Sequence, residues 1–303
     1  KAMLKKFDDS GTPHIGSMAE YSVEGGLSTS QKHGAFGMGF GGVDANKEIK
    51  SMVSELSKGA VGILDSISKA FGGKGGYSVA TGFADDSSRD GAWGGLLIEK
   101  LGETLVNWDT SRSSKWAPRE FANGEEGVTQ YLAAVAKDVL GVIKEMDLPK
   151  WADEFLDTLG ENASLEDIAK VVDTINATKA ALATMGKNLV GFASYSDDAA
   201  SALIRASGGI ESLATNASTY YDLYYSEQEK LANATRDVTA ALAEQNIALP
   251  TSREEYRKLV EQYTAMGEEG AGTLAVLLGL AGAFAAITPD AENAISVLEK
   301  KNK

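Results

Sequence analysis

The chain has two histidines, His14 and His33, and both fall in a stretch from Gly11 to Gly42 that is rich in Gly, Ser and Thr. A zinc peptidase needs three protein ligands, usually with histidine among them, so these two would need several carboxylates arriving from elsewhere. No cysteine is present, which removes disulfides, thiolate nucleophiles and cysteine-containing metal sites together. Gly37-Met38-Gly39-Phe40-Gly41-Gly42 meets the GxGxxG spacing of a dinucleotide loop. No apolar strand precedes it and no acid follows where a ribose needs one, so the match reads as accidental, with Phe36 and Phe40 anchoring a loop. Asp86, Ser88, Asp90 and Gly91 open like a calcium loop, yet the twelfth position is Leu97, where a bidentate carboxylate is required. A solvated turn is the better account. A GxSxG elbow is absent, and no pair of carboxylates carries the signature of a glycosidase cleft. The chain therefore reads as a non-enzyme with no cofactor and no metal.

Composition narrows the partners. Among 303 residues, 29 basic side chains face 43 acidic ones, a net charge of −14. Nucleic-acid binding by phosphate neutralisation needs a positive face, so sequence-specific nucleic-acid binding is not expected. Lys1–Lys6 is basic with no long apolar core behind it and does not read as a signal peptide. A start at Lys1 reads as a piece of a longer chain.

What remains is surface. Tyr220, Tyr221, Tyr224 and Tyr225 stand at i, i+1, i+4 and i+5, so two adjacent stripes of one helix are aromatic, which suits an interface. Val171, Ile175, Thr178, Leu182, Met185, Leu189 and Phe192 recur at steps of four and three. That is either a coiled-coil-type seam for self-association or a helix buried in its own domain. Gly272 to Ile287 is apolar nearly all round, which predicts a buried helix. Its sixteen residues span only ~24 Å, short of the ~20 residues that cross a bilayer. Gly272, Gly279 and Gly282 leave grooves for close helix contact, and Leu274, Leu277, Leu278 and Phe284 are the candidates for any membrane or channel contact.

The elements that position these residues are well punctuated. Asp44 is a candidate cap for a helix from about Ala45 to Phe71, with Val53, Leu56, Ala60, Ile63, Ile67 and Ala70 at seam spacing, stopped by Gly72–Gly76. Tyr77, Val79, Thr81 and Phe83 then alternate as in a strand, and Ala92–Ile98 and Thr104–Trp108 follow as further strands that need helix cover. Val128–Met146 is helical, and a short helix carries Trp151 and Phe155. Ser164 with Asp167 opens the long helix. Further helices start at Ser196 and Ile210, with Ser207-Gly208-Gly209 between them. Ser226 with Glu229 has capping-box spacing, ahead of Leu231, Ala234, Val238, Ala241, Leu242 and Gln245. Pro250 ends that helix, and Thr251 with Glu254 caps the next, whose stripe is Tyr256, Leu259, Val260 and Tyr263.

The run Tyr220–Lys230, then Leu249–Glu261, then the small-residue apolar helix resembles the tail-length tape measure proteins of tailed bacteriophages and prophages. A second block, Gly76–Asp109 with Trp116–Phe121, resembles the same family, so the likeness covers roughly 73–287. The resemblance implies a structural virion protein that sets tail length, lies in the tail lumen or at the tip, and leaves ahead of the genome to help it through the host envelope. It also implies a homo-oligomer, commonly a trimer, touching tail tube and distal tail or hub proteins, with host membrane contact after release. Strands and Gly-rich breaks depart from a uniformly helical rod and suit a folded tail-tip segment.

The expected fold is mainly α, a multi-helix assembly with a small antiparallel β insertion at about residues 77–108 and coiled-coil-type self-association. The expected division is a flexible Gly/Ser-rich segment at 1–43, a helix with a small sheet and helices at 44–160, and a helical, oligomerising region at 161–303. A peptidoglycan-degrading tail module is the alternative.

Overall fold

The computed structural model describes residues 14–30, 44–45, 47–86, 91–108 and 119–288. Within them the protein is helical with one largely antiparallel sheet. The chain divides into two compact units, 1–180 with 196–202 and 181–195 with 203–303.

The first unit holds the sheet. Its strands are β1 (His14–Ser22), β2 (Gly26–Ser30), β3 (Asp44–Ala45), β4 (Tyr77–Asp86), β5 (Gly91–Lys100), β6 (Glu103–Trp108) and β7 (Arg119–Phe121). They run in the order β2-β1-β4-β5-β6, with β3 beside β1 and β7 beside β5. Every pairing is antiparallel except β1 with β3. The three strands expected from sequence are β4, β5 and β6. The sheet is larger than expected because β1 pairs along the whole of β4, from His14 opposite Asp86 to Ser22 opposite Ser78. Part of the segment expected to be flexible is thus ordered strand, and β2 extends it. Its signal was faint because the β1 residues paired with Phe83 and Thr81 are Ser17 and Ala19, small and buried rather than large and apolar. Asp44, the expected helix cap, lies instead in β3 opposite Ile15.

Helix α1 (Lys47–Ala70) lies over the sheet face that carries Ala19, Thr81 and Phe83. Its Ser57 hydroxyl sits 2.8 Å from Thr81 Oγ1 and donates to the Ala19 carbonyl at 3.2 Å, while Thr81 donates to the Val53 carbonyl at 2.8 Å. The expected seam is inside, except that Ala70 is only half-buried. Ile49, Met52, Val61 and Leu64 are buried beside it. That face is too wide for a two-column coiled-coil seam and is what covering a sheet demands. Asp65, also buried, accepts from the Tyr77 backbone N–H at 3.2 Å and from Lys69 at 3.1 Å, tying the helix end to the start of β4.

Helix α2 (Gly124–Lys144) packs on β5 and β7, burying Val128, Tyr131, Val135 and Val139 as its spacing predicted. Gly127 is forced: a Cβ there would overlap the carbonyl oxygen of Ala122. Gly→Ala inside a helix ordinarily gains about 1 kcal/mol. Here Gly127→Ala is expected to lose about 1–3 kcal/mol through the backbone clash, read as a lower urea midpoint at unchanged m-value.

Helix α3 (Lys150–Leu156) sets Trp151 against Phe71 at 5.8 Å. Helix α4 (Leu165–Asn188) opens with the expected Ser164–Asp167 capping box. Its first half buries Ile168, Val172 and Ile175, Asn176 donates to Ser66 at 2.9 Å, and Lys179 lies 4.9 Å over the Phe71 ring. These contacts hold that half in the first unit, which is why the division falls at Ala180/Ala181 and not at 160/161. Helix α5 (Asp197–Ala206) follows, opened by Ser196 as expected, and Gly208 and Gly209 take φ of 77° and 115°, which side chains resist, to break the chain before α6 (Ile210–Tyr224).

The second unit is completed by α7 (Glu227–Glu244), α8 (Arg253–Ala265) and α9 (Ala271–Ile287). Val238, Leu242, Tyr256, Leu277 and Phe284 form its core, with Leu249, Leu259, Val260, Tyr263 and Leu280 packed around them.

Candidate interaction surfaces

The four tyrosines close helix α6 and divide into an inner and an outer pair. Tyr221 accepts a hydrogen bond from Asn233 Nδ2 at 3.2 Å, and Tyr225 accepts from the Val190 backbone N–H at 3.2 Å. The two rings lie 4.6 Å apart. Tyr220 and Tyr224 stack at 4.9 Å with an interplanar angle of 22°, and Tyr225 meets Tyr220 edge-on at 6.2 Å. The outer pair is 51% and 73% exposed, and Leu223 beside it is 74% exposed. The i, i+4 spacing thus makes a platform: two rings anchor through their hydroxyls and two present their faces to solvent.

Helix α7 begins on the expected box. Ser226 Oγ accepts from the Glu229 N–H, and the Glu229 carboxylate accepts from the Ser226 N–H at 2.8 Å. The next cap is one residue later than expected: Ser252 Oγ accepts from the Glu255 N–H, and Thr251 donates twice to the Glu255 carboxylate. Hydrogen bonds from the Ser226 and Thr251 backbones, and then from their hydroxyls, hold Glu229 and Glu255 below the usual carboxylate range. A depressed carboxylate contributes stability that is present above its unfolded value, about 4.3, and is lost as pH falls through the lower folded value. The starts of α7 and α8 should therefore fray below about pH 4. Ser226→Ala should cost about 1 kcal/mol, and in an NMR titration of the variant the Glu229 carboxyl should move back up toward the ordinary range.

Helix α9 differs from expectation. Its seventeen residues carry no ionisable group, yet it is not buried all round. Leu277 and Phe284 face the core: Phe284 stacks on Tyr256 at 4.2 Å, and the Tyr256 hydroxyl donates to the Leu277 carbonyl. Arg253 donates to the Ala285 and Thr288 carbonyls, closing the helix C-terminus. The opposite side, Gly272, Ala275, Leu278, Gly279, Gly282 and Ala286, is exposed, Leu278 at 58%. Of the four membrane candidates, Leu277 and Phe284 belong to the core, Leu274 is half-buried and Leu278 alone is open. Among the described residues no helix is long and apolar enough to cross a membrane.

The stripe of α4 is spent largely inside the chain. Ile175, Thr178 and Met185 are buried, while Val171, Leu182 and Leu189 are half-buried. In the second unit Met185 and Leu189 line a shallow groove of about 190 Å³ with Ala214, Ala217 and Tyr221. Leu231, expected on the inner face of α7, is 47% exposed.

Chemistry finds little to use. Among the described residues no group of three or more His, Asp or Glu could hold a metal ion. His33, the Gly37–Gly42 run, Ser88, Asp90 and Trp116–Pro118 lie outside the described residues. Sequence reasoning missed one cluster: Arg119 lies 3.8 Å over the Trp108 ring, and both donate to Asp138, at 3.0 and 2.7 Å. Phe121, Tyr131 and Phe83 extend it inward. These residues come from three elements, so no local spacing could announce them. No protein-family model, curated protein or solved structure matches this chain. The surfaces must speak for themselves.

Proposed function

We propose that this chain is a structural segment of a phage tail, a tape measure-type protein at the tail tip that acts in assembly and length determination and in passage of the genome through the host envelope. Support comes first from the resemblance, whose two blocks coincide with integral pieces of the fold. The first is the sheet centre β4–β6, and the second is the tyrosine platform with the α7–α9 bundle. The observation that carries the reading is α9: a helix without ionisable groups that leaves a face of small residues open. In a chain of net charge −14, copies meet with least repulsion across such a face, and glycines let helix backbones approach closely. On this reading the chain works as a homo-oligomer, a trimer, in contact with tube and hub proteins. Its acidic surface suits a lumen through which DNA slides without sticking. It acts in the virion tail, with host membrane contact after release, and does no bond-making chemistry.

Light scattering of the full chain at high concentration tests the oligomer: a trimer supports the reading, and a strict monomer counts against it. A zymogram on purified peptidoglycan tests the role itself. Clearing that persists after contaminating lysozyme is removed would replace this proposal with a cell-wall-degrading module.

A further inference from the structure

We infer that the outer face of α6, built on Tyr220, Leu223 and Tyr224, docks a partner protein segment that presents arginine side chains. Three observations converge. First, the platform is preorganised: Tyr221 and Tyr225 are pinned by hydrogen bonds, Tyr225 meets Tyr220 edge-on, and Tyr224 stacks on Tyr220. The exposed rings therefore lose little freedom on binding. Large rigid aromatics held open in this way are what interface anchors consist of.

Second, the surroundings are acidic. Helix α6 contains Glu211 and Asp222 and no basic residue. Beyond it come Glu227 and Glu229, with Lys230 as the nearby cation. That lysine is already engaged, donating to Glu227 at 3.1 Å and to the Asp222 carbonyl at 2.9 Å. The Asp222 side chain is exposed and pairs with no basic side chain among the described residues. An open π-face beside an open carboxylate is complementary to a cation, and guanidinium suits both because it stacks flat on the ring while its N–H groups reach the carboxylate.

Third, the arginines of a second copy are a poor source. Arg119, Arg236, Arg253 and Arg257 each hold partners in their own chain, and Arg205 has one as well. The partner is accordingly a different protein with a basic segment. This inference stands on α6 alone and does not depend on the tail reading.

The test uses the full chain and two fluorescent octapeptides, all-arginine and all-lysine, titrated by anisotropy at physiological salt. The arginine peptide should bind several-fold more tightly than the lysine peptide. Tyr220→Leu/Tyr224→Leu keeps apolar area and removes the rings, and it should weaken arginine-peptide binding about tenfold. Asp222→Asn should weaken it several-fold. Glu268→Gln/Glu269→Gln removes two exposed charges elsewhere and should leave it unchanged. An unaltered far-UV circular dichroism spectrum checks that each variant is folded. Equal binding of both peptides, or equal binding by the wild type and the double tyrosine variant, overturns the proposal and leaves only attraction to a net negative surface.

Discussion

Tyr131→Ala is expected to destabilise the sheet-bearing unit by about 3–5 kcal/mol, the range for removing a fully buried ring. For a unit of this size that lowers Tm by roughly 10 °C. Tyr131 is wholly buried and meets Phe83 at 5.1 Å, Phe121 at 5.7 Å and Trp108 at 6.4 Å. The sheet makes room for it at Gly94, where a Cβ would collide with the Tyr131 and Phe121 rings. Its hydroxyl donates to the Gly95 carbonyl at 3.2 Å. Tyr131→Phe keeps the ring and leaves that carbonyl unpaired, so it should cost only about 1–2 kcal/mol. The two variants also separate at high pH. Burial pushes the Tyr131 hydroxyl well above its ordinary range. Above about pH 10 the unfolded chain releases this proton while the folded one keeps it, so stability falls as pH rises. Tyr131→Phe should show a shallower alkaline loss than the wild type. Denaturant melts from pH 8 to 11 read both effects.

The second large effect lies in α9. Leu277→Asp places a carboxylate with no partner in the core formed with Val238, Leu242, Tyr256 and Phe284. It should cost about 3–5 kcal/mol, as an uncompensated buried charge does, enough to abolish cooperative melting of the α7–α9 bundle. Leu278→Asp, one residue on and 58% exposed, should change stability by no more than about 0.5 kcal/mol. The contrast decides how a membrane role can be tested. Loss of liposome leakage in Leu277→Asp would reflect a broken fold, whereas loss in Leu278→Asp would reflect the outer face itself. No leakage from the wild type ends the channel idea.

What could be read from the sequence was what is local. Ser226 with Glu229, the stop at Ser207–Gly209 and the alternation from Tyr77 to Phe83 each involve neighbours in the chain, and each structure formed as expected. Periodicity also found the buried face of α1, but it could not say what would cover that face. A seam and a sheet-facing stripe share steps of three and four until a third column, here Ile49, Val61 and Leu64, is counted. The same limit applied to α9, where uniform apolarity suggested burial. In a three-helix bundle two helices cover only one side of the third, so Ala275 and Leu278 stay outside whatever their hydropathy. β1 was hidden because its inward residues are small where α1 comes close enough for Ser57 to reach the Ala19 carbonyl. Of the surface candidates, the tyrosines were visible as a cluster, but their division into anchors and open faces depends on Asn233 and Val190, which no spacing rule links to them.

The central claim concerns where the chain resides, and imaging of intact tails tests it most directly. Electron cryomicroscopy of particles carrying a small tag on this chain should place its density on the tail axis, at the distal end of the tube, in threefold copies. Density confined to the outer surface, or purified tails that lack the chain altogether, would contradict the account.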